Sequence, residues 1–169
     1  KEVPQGAIEG DYVSKTQPFP SKPAPLNPIS FDPEKAFGFT FWDRGHCKRT
    51  AKKLRNEGLF TPPSLQGSIH YPSGVGGNNW GGPAVDSDRN IMVVNTNNMA
   101  SLIVMIPRED CKKPLEELSI NKNQVRFTNI ESNEGAPYCN LRSMGFFSPL
   151  GVPCTCLLYT SDAADDCWS

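Results

Sequence analysis

The residues best suited to chemistry sit in one stretch, GVGGNNWGGPAVD (residues 74–86), where five glycines surround Asn78, Asn79 and Trp80. A dinucleotide-binding loop needs G-x-G-x-x-G between a strand and a helix. Counted from Gly74 and Gly76, the final position holds Asn79, so the pattern fails. A Walker loop needs a Gly-Lys-Ser/Thr ending, and the segment has no lysine. The sequence that follows is of β type, so no helix N-terminus is available to meet a phosphate. Recognition of a flat, oxygen-rich ring remains. Bare backbone at Gly76, Gly77, Gly81 and Gly82 permits close approach on both sides of Trp80. Asn79 offers one acceptor and two donors to a planar partner. The competing reading makes Trp80 a core anchor and the glycines ordinary turn formers.

Other reactive side chains give less. The cysteines are Cys47, Cys111, Cys139, Cys154, Cys156 and Cys167, and their spacing fits no zinc pattern. An even number is compatible with disulfides in an oxidising compartment, and the spacing leaves the pairing open. Asp43, Asp86 and Asp88 read as cap or turn residues. His46 and His70 read as a helix-surface and a strand histidine, so no metal ligands are assigned.

These groups must be positioned by a chain of 169 residues with 16 prolines, 14 glycines and a hydrophobic fraction of 37%, a composition that favours turns and short strands over long helices. The net charge of −1 provides no global field for nucleic acid. There is no run of 18 apolar residues to span a bilayer. The start at Lys1, with no initiator methionine or visible signal peptide, raises the expectation of a fragment or processed product.

Residues 1–31 read as extended. QPFPSKPAPLNP (17–28) favours polyproline II geometry, either as a PxxP ligand or as a strap over a larger body. Asp43 is expected to cap a helix that runs to about Asn56 and ends at Gly58. Its apolar stripe would be Cys47, Ala51 and Leu54, opposite the basic Arg44, Lys48, Arg49, Lys52, Lys53 and Arg55. A solvated helix face suits this pattern better than a nucleic-acid reader, because acidic residues elsewhere balance the charge. Strands are expected at 68–71, 83–86, 90–95 and 101–106, with a hairpin connection at 86–89. Their spacing predicts an antiparallel meander, the unit of a sandwich or a propeller blade. Residues 107–135 read as a long loop or insertion.

Five segments in order, VPQGAIEGDYVSKTQPFPSKPAPL (3–26), KLRNEGLFTPPSLQGSIHYPS (53–73), GGNNWGGPAVDSDRNIMVVNTN (76–97), LIVMIPRE (102–109) and GAPYCNLRSMGFFSPLGVPC (135–154), resemble a known family. It is the membrane-bound glucose/quinate/shikimate branch of the pyrroloquinoline quinone (PQQ) dehydrogenases. The resemblance implies an all-β fold: a fragment, about one to two blades, of an eight-bladed β-propeller. An N-terminal extended strap and one surface helix (1–60) would precede blade strands (61–106), then a long loop and the start of the next blade (107–155). It implies PQQ and Ca²⁺ as cofactors, a sugar or cyclic polyol as substrate, and membrane ubiquinone as electron acceptor. The implied location is the periplasmic side of the bacterial inner membrane.

Carried over position by position, the cofactor-binding residues implied are Asn79, Trp80 and Asn95. The family's catalytic aspartate, quinone-pairing lysine and Ca²⁺ ligands match nothing here and are expected before Lys1, so the isolated chain is expected to be inactive. The resemblance ends near residue 155. CLLYTSDAAD (156–165) resembles the translation of a sequencing-library adapter, and residues 156–169 are set aside on that ground. The rival reading is a non-catalytic β-propeller or β-sandwich binding module that uses the proline strap and basic helix as partner surfaces.

Overall fold

The computed structural model describes residues 1–22, 25–74, 76–78, 81–118 and 128–156. Chain order is a 3₁₀ turn (Pro33–Lys35), helix α1 (Phe41–Ala51), strands β1 (Ser68–His70), β2 (Pro83–Asp86), β3 (Ile91–Val94) and β4 (Ser101–Pro107), a second 3₁₀ turn (Arg108–Asp110), then β5 (Thr128–Glu131) and β6 (Tyr138–Ser143). The fold is thus antiparallel strands with a single helix among the described residues. The segment after residue 156, which carries the adapter-like sequence, lies outside the described residues.

The strands form two sheets, one of four strands in the order β1-β4-β6-β5 and one of two, β2-β3. This corrects the meander expectation. Both edges of β4 are occupied, by β1 with Leu102 opposite Ile69 and by β6 with Val104 opposite Leu141. No edge is left for β3, and the β2–β3 hairpin stands apart. The expected loop at 107–135 also contains strand β5, which pairs with β6 as an edge strand. Its short, polar sequence has no apolar run to announce it.

The core lies on one face of the large sheet. Leu102, Val104 and Ile106 of β4 are buried beside Ile69 of β1 and Cys139 and Leu141 of β6. Each apolar side chain of this size contributes about 1.5–3 kcal/mol when removed from water. Helix α1 adds Cys47 and Ala51, and Leu54 follows just past its end. From the N-terminal segment, whose first residues pair with 15–17, Phe31 meets Tyr71 and Phe146 edge-to-face with centroids 6.0 and 5.9 Å apart.

The apolar stripe of α1 is as expected, but its bounds differ. Thr40 is the N-cap and accepts the Asp43 N–H at 3.3 Å, while the Asp43 carboxylate accepts the Phe39 N–H at 3.1 Å. Asp43 therefore closes the cap from inside the first turn. Past Ala51 the chain tightens, with the Lys53 and Leu54 N–H groups donating to Thr50 O and Ala51 O, and it leaves the helix at Arg55. Arg55 donates to Gly67 O and its own carbonyl accepts from Ile69, both at 2.9 Å. On the outer face, Lys48 and Lys52 both reach Glu34, Lys52 at 2.7 Å. These two ammonium groups hold the Glu34 carboxylate down at a pKa of about 2.

Two disulfides with both cysteines among the described residues fasten these parts. Cys47 of α1 bonds Cys154 beyond β6, and Cys111 after β4 bonds Cys139 of β6. No helix among the described residues is long and apolar enough to cross a membrane.

Candidate functional site

The glycine-rich segment is hooked onto the chain that leads into β4. Ser73 N–H donates to Met99 O at 2.7 Å, and Asn97 N–H donates to Gly77 O at 2.6 Å. Asn97 Oδ1 accepts the Met99 N–H at 3.0 Å. Next in the chain, fully buried Ala100 accepts the Phe146 N–H through its carbonyl at 2.7 Å. The hook is therefore continuous with the central strand of the sheet.

Asn27, from the proline-rich N-terminal segment, joins the same knot. Its Nδ2 donates to Asn97 O and to Asn98 Oδ1, each at 3.1 Å. A Cβ placed on Gly77 would lie 2.6 Å from Asn27 Oδ1, so the close approach requires glycine there. At the far end of the segment Gly82 has φ +60°, a left-handed turn feeding β2. Gly81 lies against Asn95, with a hypothetical Cβ 3.7 Å from Asn95 Cβ.

Of the three predicted cofactor-binding residues, the structure places one. Asn95 follows β3, is exposed, and makes no hydrogen bond among the described residues. Asn79 and Trp80 lie outside the described residues. Their flanks are held: Gly77 by Asn97 and Asn27, and Gly81 against Asn95.

The acidic and imidazole groups do structural work. Asp86 Oδ1 accepts the N–H groups of Asp88 and Arg89, both at 3.1 Å, and shapes the β2–β3 turn. Asp43 completes a cap, and His46 lies 3.3 Å from Thr50 Oγ1 one turn along α1. Partial desolvation, with help from Arg49, pushes His46 below the ordinary histidine range. His70 is lowered as well, first by desolvation and then by the Arg142 guanidinium. Arg142 in turn lies against Gly74, with Nη1 3.9 Å from Glu131 Oε1. Among the described residues no cluster of three His, Cys, Asp or Glu side chains is arranged to hold a metal.

Comparison with known proteins bears on what this arrangement serves. The family model described as PQQ: Glucose/ethanol/alcohol dehydrogenase, beta-propeller domain, matches residues 1–166. The chain belongs to this family. It is 36% identical over 160 residues to the quinoprotein glucose dehydrogenase of Escherichia coli K12, covering 91% of this chain and 19% of that protein. With the quinoprotein glucose dehydrogenase of Gluconobacter oxydans 621H it shares 36% over 153 residues, 89% of this chain and 18% of the relative. With the quinate/shikimate dehydrogenase (quinone) of Acinetobacter baylyi it shares 30% over 151 residues, 87% and 18%. No solved structure matches. The chain thus spans about one fifth of the length of these relatives.

The family implies PQQ, and of the residues expected to meet it only Asn95 lies among the described residues. Asn95 presents an exposed carboxamide, without a hydrogen bond among the described residues, able to donate and accept. Its backbone is held two residues on, at Asn97. Sequence reasoning missed Asn27, Asn97 and Asn98, which brace the loop. The NTNN run (95–98) was a usable signal, since three asparagines in four residues suit side-chain-to-backbone bonding.

Proposed function

We propose that this chain is a segment of a PQQ-dependent dehydrogenase that oxidises a sugar or cyclic polyol of the glucose/quinate/shikimate type and passes the electrons to ubiquinone. The observation that carries the reading is the family match across 1–166, whose glycine-rich segment is braced at one end and borders exposed Asn95 at the other. Asn79, Trp80 and Asn95 form one wall of the cofactor site, and the strap and helix (1–60) precede the strands of about one to two blades of an eight-bladed propeller. When bound, PQQ supplies the two-electron oxidant. This chain's part is to present the Asn95 carboxamide to one edge of that group and to keep the loop from drifting. Asp43 and Asp86 are committed to a cap and a turn, so the proton-accepting carboxylate and the Ca²⁺ ligands belong to the rest of the enzyme. Two disulfides support an oxidising location such as the periplasmic side of the inner membrane.

The test is an assay of the complete enzyme carrying this chain, reconstituted with PQQ and Ca²⁺. Dye reduction that depends on glucose or quinate is the expected result. Its absence with every sugar and polyol, despite bound PQQ, overturns the substrate reading. The 169-residue chain alone is expected to show no turnover under the same conditions.

A further inference from the structure

We propose that Asn27 of the proline-rich strap is a positioning residue for the glycine-rich loop. It would set where that loop stands before any cofactor arrives. The inference rests on the cofactor reading above and adds a residue remote from it in sequence, about 70 positions from its partners.

The geometry is specific to asparagine. Both acceptors of the Asn27 amide are oxygens, Asn97 O and Asn98 Oδ1, so the position needs a neutral group with two N–H donors on one nitrogen. Asn98 is 4% exposed, so an unanswered amide oxygen there would carry a desolvation cost. On its other side the Asn27 amide oxygen packs on the bare Cα of Gly77, whose carbonyl takes the Asn97 N–H. One side chain therefore closes a circuit through Gly77, Asn97 and Asn98. The strap is itself fixed four residues later, where Phe31 is buried against Tyr71 and Phe146. Position is thereby transmitted from the core, through the strap, to the segment that leads to Asn79 and Trp80.

The test uses the complete enzyme with Asn27→Asp, which keeps the shape and replaces the donor with an acceptor, and with Asn27→Ala. Two readouts are taken: amide exchange of the cofactor-free protein, and PQQ affinity by titration. The expected result is exchange at Asn97 faster by about tenfold or more, with β4 and β6 unchanged, and PQQ affinity weaker by about tenfold. Unchanged exchange at Asn97 overturns the proposal. Faster exchange with unaltered PQQ affinity overturns the positioning role and leaves the cofactor reading standing. Failure of the unmodified enzyme to bind PQQ sinks the cofactor reading, and the positioning role with it. A double-mutant cycle adds an independent check: Gly77→Ala should loosen the loop in the native background and cost clearly less beside Asn27→Ala. Equal cost in both backgrounds overturns the packing argument.

Discussion

The four-stranded sheet and the β2–β3 hairpin are built from the same kinds of residue and have opposite fates. Leu102, Val104, Ile106 and Leu141 are buried, whereas Val85 and Val93 are 69% and 65% exposed and Ile91 and Met92 each 50%. Strand propensity does not separate them, since PAVD and IMVV pair in register as well as the strands of the larger sheet. What differs is the company. The large sheet has α1, Phe31 and two disulfides in its core, and among the described residues no further strand pairs with the hairpin. Two-stranded ribbons are marginal alone, and here the exposed apolar side chains divide between both faces, Val85 and Met92 on one and Ile91 and Val93 on the other. The candidate cofactor loop runs straight into this thinly supported hairpin, with Asn95 at its far end. Its bracing from Asn97 and Asn27 makes up for support the hairpin does not supply.

The sharpest way to break the contrast is to remove the longer staple. Cys47→Ser with Cys154→Ser opens a loop spanning 107 positions and should cost about 5 kcal/mol of unfolding free energy in the chain-entropy picture. The corresponding change at Cys111 and Cys139, separated by 28, should cost about 3.5 kcal/mol. Urea melts of the chain give both values, and equal losses would count against the loop-length argument. Next, Leu141→Ala in β6 should destabilise by about 2–5 kcal/mol, and Val93→Ala in the hairpin by no more than about 0.5 kcal/mol. Comparable losses in the same melts would mean that the hairpin is buried in solution.

Two smaller effects depend on protons. The folded state disfavours charged His70, so its pKa there lies below the unfolded value of about 6.5. The unfolded chain then takes up the proton first on acidification, and stability should fall as pH drops through that value. His70→Gln should flatten this part of the stability-versus-pH curve, and an unchanged slope would remove His70 as its source. Glu34 behaves in the other sense, since its pKa is lowered to about 2. Its stabilising contribution is present above the ordinary carboxylate range and is lost as pH falls toward 2. The group is fully exposed, so Glu34→Gln should change melts near neutral pH only slightly, and less still in high salt.

What the sequence discloses follows from how local each feature is. The apolar runs of β1 to β4 declare themselves within a few residues, and the structure finds β2 at its expected bounds and the other three with ends shifted by no more than one. The apolar stripe of α1 is equally visible. Its C-terminus is not, because the chain leaves the helix where Arg55 makes a tertiary contact, its pairing with Gly67 and Ile69. The neighbours of β4 are invisible for the same reason: β6 lies more than thirty residues away, across a stretch whose composition reads as loop. Cysteine spacing held no information on pairing, since the bonds depend on where α1 and β6 come to rest. At the candidate site, the glycine pattern was readable as local chemistry, whereas Asn95 entered only through the family resemblance. Asn27 was not, because its role exists only once the strap lies across the sheet.

The two disulfides are nested, the Cys111–Cys139 loop lying wholly inside the Cys47–Cys154 loop. During synthesis α1 therefore emerges long before its covalent partner, and Cys47 must wait while Cys111 and Cys139 appear and offer wrong exchanges. Taken by themselves these four thiols allow three pairings, and closing the shorter loop first leaves Cys47 with its correct mate among them. Formation of the outer bond then reports that strap, helix and sheet have all arrived. The outer bond thus ties the helix that precedes every strand to the segment that follows β6.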